Sequence, residues 1–152
     1  MHAHIDAVRV AGTPSGPVPV VLLASDGEPD LLPIFIGFDE ATAIARGLDA
    51  VDIGRPLTHD LLLDVVEELG GRVDRVVVDA IEEHEEGGTY TANLHLDTPR
   101  AEAVIDARPS DSLALAARTG ADIEVDPGVF DEGGRPRETF DELQDIREVD
   151  EL

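Results

Sequence analysis

Two stretches of the chain place an arginine, a proline, a hydroxyl group and a carboxylate directly before an apolar helical pattern. They are Arg55-Pro56-Leu57-Thr58-His59-Asp60 and Asp106-Ala107-Arg108-Pro109-Ser110-Asp111. Proline suits the first turn of a helix, and Ser, Thr and Asp cap it. The backbone N–H groups of a helix start lack partners and attract anions. Each stretch could therefore bind phosphate, or could equally be no more than a well-capped helix start.

The side chains of these stretches suggest a phosphate site. The guanidinium groups of Arg55 and Arg108 match phosphate in a fork geometry, and the hydroxyl groups of Thr58 and Ser110 could add hydrogen bonds. Either arginine could instead bridge the two stretches. A shared site requires that the two stretches, which are distant in sequence, meet in space.

Three residues are candidates for catalysis. Histidine is the usual general acid or base near neutral pH, so His59 could act in that role, with Asp60 and Asp111 as catalytic carboxylates. In the alternative interpretation, Asp60 stabilises the helix start through the helix dipole and His59 points to solvent.

Carboxylates near the same stretches could hold Mg or Mn. Hydrolysis by two metal ions needs carboxylates that converge on ions about 3.5–4 Å apart. Glu40, Asp106 and Asp111 are the candidate ligands, and Asp60 could join them. The alternative is a structural network of arginine and aspartate that ties two helix starts together.

The charge balance indicates adaptation to very high salt. Asp and Glu total 34 against 11 basic residues, which are all Arg, and the net charge is −23. Such a chain repels itself at low salt, but at molar salt the Debye length falls to about 3 Å and the repulsion is screened. The alternative is an acidic protein that binds basic partners. The spread of acidic residues along the whole chain favours salt adaptation.

Composition also excludes several kinds of site. Without Cys the chain can form no disulfide and no thiolate metal site, and without Lys it can form no P-loop. The longest apolar stretch, residues 18–24, contains Pro19 and is too short to span a membrane. The N-terminus lacks a basic segment followed by an apolar one. We therefore expect a cytoplasmic protein with no membrane partner.

The hydrophobic pattern predicts an α+β fold: one compact domain over residues 1–130, with an antiparallel or mixed sheet of short strands and about three helices. An acidic tail over residues 131–152 is expected to be peripheral, with a helix from Thr139 to Val149. The predicted helices are Asp39–Val51, Thr58–Leu69 and Ser110–Thr119, and the predicted strands are Met1–Val10, Val18–Ser25, Leu31–Gly37, Val73–Ile81, Thr89–Leu96, Val104–Ala107 and Ile123–Val125.

The second predicted helix carries an apolar stripe. Its members recur at helical spacing and are expected to face the core: Leu61, Leu62, Val65, Val66 and Leu69.

Over about residues 3–130 the chain resembles the bifunctional nuclease domain family. The resemblance is carried by several short words in the same order and spacing: Leu32-Pro33-Ile34-Phe35-Ile36-Gly37, Glu40-Ala41, Arg55-Pro56-Leu57-Thr58-His59-Asp60-Leu61-Leu62, Leu69-Gly70-Gly71, and Ile105-Asp106-Ala107-Arg108-Pro109-Ser110-Asp111-Ser112-Leu113-Ala114-Leu115-Ala116. It implies a compact α+β domain that associates with copies of itself, and some members are described as having DNase and RNase activity.

Three hypotheses follow. The first is a nuclease that hydrolyses phosphodiester bonds of DNA and RNA. The second is a non-enzymatic, oligomeric module that binds an anion or regulates a partner. The third is a purely structural role for both arginine–proline stretches. In the third, both stretches serve the core and the subunit interface. The resemblance implies a homo-oligomer, a dimer or a higher assembly.

Overall fold

The computed structural model describes residues 1–50, 54–84 and 87–149. The strands are β1 (His2–Thr13), β2 (Gly16–Ala24), β3 (Asp30–Phe35), β4 (Arg72–His84), β5 (Gly87–Asp97), β6 (Glu102–Ala107), β7 (Asp122–Val125), β8 (Arg135–Pro136) and β9 (Gln144–Asp145). The helices are α1 (Phe38–Leu48), α2 (Thr58–Glu68), α3 (Pro109–Thr119) and α4 (Pro127–Gly133), and two 3₁₀ helices span Arg137–Phe140 and Ile146–Glu148.

The nine described strands form one mixed sheet. Its order is β6-β5-β4-β7-β1-β2-β3-β8, with β9 paired to β1. β4 and β7 are parallel, whereas the other described neighbours are antiparallel. The predicted α+β class is therefore confirmed. No helix among the described residues is long and apolar enough to cross a membrane.

The main core lies between the sheet and the helices α1 and α3. Ile44 of α1 and Leu113 of α3 are fully buried against sheet residues such as Val21 and Val76. Because α3 follows β6 directly, this packing fixes where the second arginine–proline stretch begins its helix. α1 begins at Phe38 after Gly37, so the predicted start at Asp39 is one residue late. Its predicted end, Val51, lies outside the described residues.

The tail packs onto the other face of the sheet. The predicted helix from Thr139 to Val149 is wrong: this segment contains 3₁₀ turns and β9, which pairs with β1. Arg9 explains the difference, because its guanidinium donates to the carbonyl oxygens of Phe140 at 3.0 Å and Leu143 at 3.3 Å. Phe140 is 5% exposed and joins a second apolar cluster with Val20 and Leu22 of β2. β2 is therefore apolar at successive positions because both of its faces are covered.

The apolar stripe of α2 does not face the core, so that prediction is wrong. Leu63 and Val66 are the partly buried apolar residues of α2, and no residue of α2 is fully buried. Val66 is the partly buried member of the stripe, and its other four residues face outwards, with these exposed fractions: Leu61 54%, Leu62 45%, Val65 47% and Leu69 74%. The edge strand β6 also exposes Val104 and Ile105. Periodicity identifies an apolar stripe but does not say whether the chain itself covers it.

Candidate functional site

The two arginine–proline stretches meet where α2 and α3 begin. Nε2 of His59, in the first turn of α2, lies 2.9 Å from Oδ1 of Asp111, in the first turn of α3. The side chain of His59 is 15% exposed and that of Asp111 is 36% exposed. Solvent therefore reaches this histidine–carboxylate pair. The pair is also the contact between the two stretches that a shared site requires.

Arg108 extends the pair. Its Nε donates to Oδ2 of Asp111 at 2.9 Å, and its terminal nitrogen NH1 donates to Oε1 of Glu40 at 3.2 Å. Burial acts to raise the pKa of Asp111, but the hydrogen bonds from Arg108 and His59 outweigh it, and the pKa of this carboxyl lies below its usual value. The hydrogen bond to Asp111 also raises the pKa of Arg108. We call His59, Asp111, Arg108 and Glu40 the His59 cluster.

Glu40 reaches this cluster because Gly37 leaves room for it. A Cβ atom at Gly37 would collide with the Glu40 carboxylate. Gly37 precedes the first residue of α1, and Glu40 lies three positions after it, on the first turn. A side chain at position 37 would therefore compete with the Glu40 carboxylate for the space beside Arg108.

Asp60 has a structural role in the described contacts. Its Oδ2 accepts from the backbone N–H of Leu57 at 3.0 Å, which closes the first turn of α2, and its Oδ1 accepts from Nε of Arg118 at 2.7 Å. The hydrogen bond from Leu57 is the main cause that lowers the pKa of Asp60, and Arg118 adds to it. Both carboxylate oxygens of Asp60 thus hold the start of α2 in place. This agrees with the alternative interpretation, in which Asp60 stabilises the helix start.

Arg118 is the residue that sequence reasoning missed. Its side chain is 8% exposed, and NH1 donates to the carbonyl oxygens of Ala43 and Ala114, each at 2.9 Å. Together with the pair to Asp60, these contacts join α1, α2 and α3. The glycine at position 47 is the sequence feature that could have pointed to this contact, because an added Cβ there would lie 2.9 Å from the same nitrogen atom of Arg118. Only the structure shows which side chain occupies that space.

The other candidate residues are dispersed. Arg55 and Thr58 are exposed, and no described contact joins them to the His59 cluster. Asp106 is opposite Asn93 in the β5–β6 register. The side chain of Asn93 donates to Asp79 on the sheet face away from the core, so Asp106 shares that outer face. Ser110, by contrast, is 6% exposed at the start of α3.

The predicted Mg or Mn ligands do not assemble. Within residues 1–50, 54–84 and 87–149 there is no group of three His, Asp or Glu side chains suited to a metal ion. Asp106 lies apart, and the guanidinium of Arg108 lies between the carboxylates of Glu40 and Asp111. A cation would have to displace this guanidinium, so this donor arrangement does not fit a metal ion.

A cavity of about 260 Å³ adjoins Arg108. Four segments line it: the end of β3 with the following loop (residues 34–37), Glu40 of α1, residues 88–90 of β5, and Arg108 to Ser110 at the start of α3. The sequence motifs around Gly37 and Arg108, which carry the family resemblance, thus come together in one concave site.

Comparison with protein families agrees with this arrangement. A family model described as bifunctional nuclease domain matches residues 20–138. The chain belongs to the bifunctional nuclease domain family. The match includes the whole His59 cluster and every residue that lines the cavity, and it ends within the predicted tail.

Individual proteins are also similar to most of this family member. Uncharacterised proteins of two Mycobacterium tuberculosis strains are 38% identical over 136 residues, which cover 88% of this chain and 79% of theirs. A protein named bifunctional nuclease 2 from Arabidopsis thaliana is 31% identical over 109 residues, which cover 70% of this chain and 32% of the plant protein.

Proposed function

We propose that the protein is a nuclease that hydrolyses phosphodiester bonds of DNA and RNA at the His59 cluster. The observation that carries the proposal is the 2.9 Å contact between His59 and Asp111, with Arg108 bound to the same carboxylate. A histidine oriented by a carboxylate and flanked by a guanidinium has the parts needed for acid–base catalysis at a phosphate. The family and the name of the Arabidopsis relative support the same reaction.

The contacts define the proton chemistry of His59. Because Asp111 is a carboxylate and can only accept, Nε2 of His59 must donate the hydrogen bond between them. Nδ1 is then the ring atom that takes a proton from the attacking water as its oxygen bonds to phosphorus. The same proton passes to the leaving oxygen as the phosphorus–oxygen bond breaks. Asp111 holds the tautomer and stabilises the imidazolium that forms between these steps.

Arg108 would bind the phosphate oxygens. Two of its five N–H groups are engaged by Asp111 and Glu40, and its side chain is 62% exposed. The remaining N–H groups can donate to the non-bridging oxygens, where negative charge increases as water attacks. The acidic surface opposes long-range attraction of nucleic acid. A site of this kind therefore depends on short-range contacts, which molar salt screens least.

Degradation assays test this proposal. The protein should be purified in molar KCl, because its charge of −23 and lack of Lys support salt adaptation. We expect it to cleave single- and double-stranded DNA and RNA, and to retain activity within about tenfold in a chelator, since the cluster has no fitting set of metal ligands. No cleavage above background would contradict the proposal. Complete loss in chelator with recovery in Mg²⁺ or Mn²⁺ would contradict the metal-free mechanism.

The non-enzymatic, oligomeric alternative draws on one observation. The apolar side chains that α2 and β6 leave exposed, Leu61, Leu62, Val65, Leu69, Val104 and Ile105, are the kind of surface that self-association buries. Self-association is compatible with either function, because none of these residues belongs to the His59 cluster. Nuclease activity decides between the two.

A further inference from the structure

The cavity beside Arg108 has no role in the proton transfers proposed above. Arg108 and Glu40 line it, but His59 and Asp111 do not. It is therefore adjacent to the proposed reaction centre and separate from it. Arg108 is the residue common to both.

The start of α3 contributes an unpaired backbone donor to this cavity. Arg108 is the residue before the helix and provides no side-chain cap, and Pro109 has no N–H group. The first backbone N–H group of α3 with an intrahelical partner is that of Ser112, which donates to the carbonyl oxygen of Arg108 at 3.1 Å. The N–H group of Ser110, which lines the cavity, thus has no partner among the described residues, and such a group attracts anions.

Ser110 provides an independent sign of a ligand. It is 6% exposed and lines the cavity, yet its hydroxyl group has no hydrogen-bond partner in the part of the chain that the structure describes. Among the described residues, the fully buried side-chain atoms without a partner are Nε of Arg9 and Oγ of Ser112, so the Ser110 hydroxyl oxygen is not sealed in the core. Because the rest of Ser110 is buried, the cavity is the side from which a ligand can reach this hydroxyl group. An acceptor or donor oxygen inside the cavity would satisfy it.

The remaining walls limit what can enter. Ile34, Phe35, Ile36 and Tyr90 give an apolar side to the cavity, and Phe35 is 57% exposed at its rim. Glu40 also borders the space, but its carboxylate is paired with Arg108. At about 260 Å³ the volume suits one small molecule and excludes a duplex.

We propose that this cavity binds a phosphomonoester: a nucleoside monophosphate or the phosphorylated end of a nucleic acid. The phosphoryl oxygens accept from Arg108, from the Ser110 hydroxyl and from the free backbone N–H group of Ser110, while the base lies against Phe35. A free nucleotide and a chain end present the same phosphate chemistry. The second source rests on the proposed nuclease function, since it would place a terminal nucleotide next to the cleaved bond.

Binding measurements test the cavity without any cleavage. The full chain in molar KCl should be titrated separately with adenosine monophosphate, adenosine and inorganic phosphate, and binding should be measured by calorimetry. We expect the monophosphate to bind and adenosine not to bind at the same concentrations. Ser110→Ala should weaken the monophosphate at least about tenfold, because it removes a hydrogen bond to a charged group. Ser110→Asp should abolish binding by placing a negative charge in the cavity.

Ser112→Ala is the matched control. Ser112 is two residues further along α3, is fully buried and also has an unpartnered hydroxyl, but it does not line the cavity. Its replacement should leave the affinity unchanged. Equal affinity in Ser110→Ala and the wild type, or no binding of the monophosphate at millimolar concentration, would overturn the proposal.

Two further measurements distinguish a free nucleotide from the phosphorylated end of a nucleic acid as the ligand. Oligonucleotides with a terminal phosphate should displace adenosine monophosphate better than the same oligonucleotides ending in hydroxyl groups. Equal displacement would overturn binding of chain ends, although not of free nucleotides. If the protein binds the monophosphate but cleaves no nucleic acid, the cavity assignment holds and the nuclease proposal fails. Failure of the cavity assignment and failure of the nuclease proposal are therefore distinguishable.

Discussion

Replacing Arg118 by alanine should lower the free energy of unfolding by about 2–3 kcal/mol. The side chain is almost fully buried and holds Asp60, the carbonyl of Ala43 and the carbonyl of Ala114 together. Its removal leaves the Asp60 carboxylate without its cation, although the N–H of Leu57 still binds it. Loss of this junction frees the start of α2 from α1 and α3, and with it the position of His59.

Arg72→Ala is the control for the loss of one arginine. The Arg72 side chain is 73% exposed and pairs with Asp97 at 2.7 Å, so its removal should cost less than about 0.5 kcal/mol. Both variants can be compared by urea unfolding in molar KCl. Equal stabilities would show that Arg118 does not hold the three helices together.

Asp111→Asn should reduce the rate of phosphodiester cleavage at least about 100-fold. The substitution keeps the size of the side chain but removes the charge that stabilises the imidazolium of His59. An amide can also donate to Nε2, which would favour the wrong tautomer of the ring. Arg108 loses its strongest partner at the same time, so the phosphate site becomes less well ordered.

Asp106→Asn provides the matched control for this substitution. Asp106 was a predicted metal ligand, yet it lies on the outer face of β6, away from the cluster. Cleavage by Asp106→Asn should remain within about twofold of the wild type, since surface substitutions away from a site have small effects. A large loss in this variant and none in Asp111→Asn would reverse our assignment of the site.

Helix starts were the most predictable part of the fold. The predicted beginnings of α2 and α3 lie within a residue of the structure, and Pro109 occupies the first turn of α3 as predicted. The predicted caps are wrong, because the residues before the two helices are Leu57 and Arg108, which provide no side-chain cap, and Pro56 lies before α2. The contact between His59 and Asp111 depends on how two helices pack, which only the whole fold determines. The shared pattern of the two stretches indicated that contact but could not give its partners.

Other features were not predictable because distant residues override local preference. The tail from residue 137 shows helical spacing, but Arg9 and β1 bind its backbone and hold it in 3₁₀ turns and a short strand. The stripe on α2 has the right period for a core helix, but Val66 is the one of its five residues that is partly buried, and Leu63, which lies outside the stripe, is the other partly buried apolar residue of α2. Asp60 resembled a catalytic carboxylate until Arg118, 58 positions away, was seen to bind it.

The central claim is that His59 performs the proton transfer in phosphodiester cleavage. Its most direct test compares the cleavage rates of His59→Ala and His95→Ala, prepared in parallel and shown to be folded. His95 lies in β5 outside the cluster, so its variant should cleave at the wild-type rate, while His59→Ala should be slower at least about 100-fold. Equal rates in the two variants would contradict the claim and assign any observed cleavage to another site or to a contaminant.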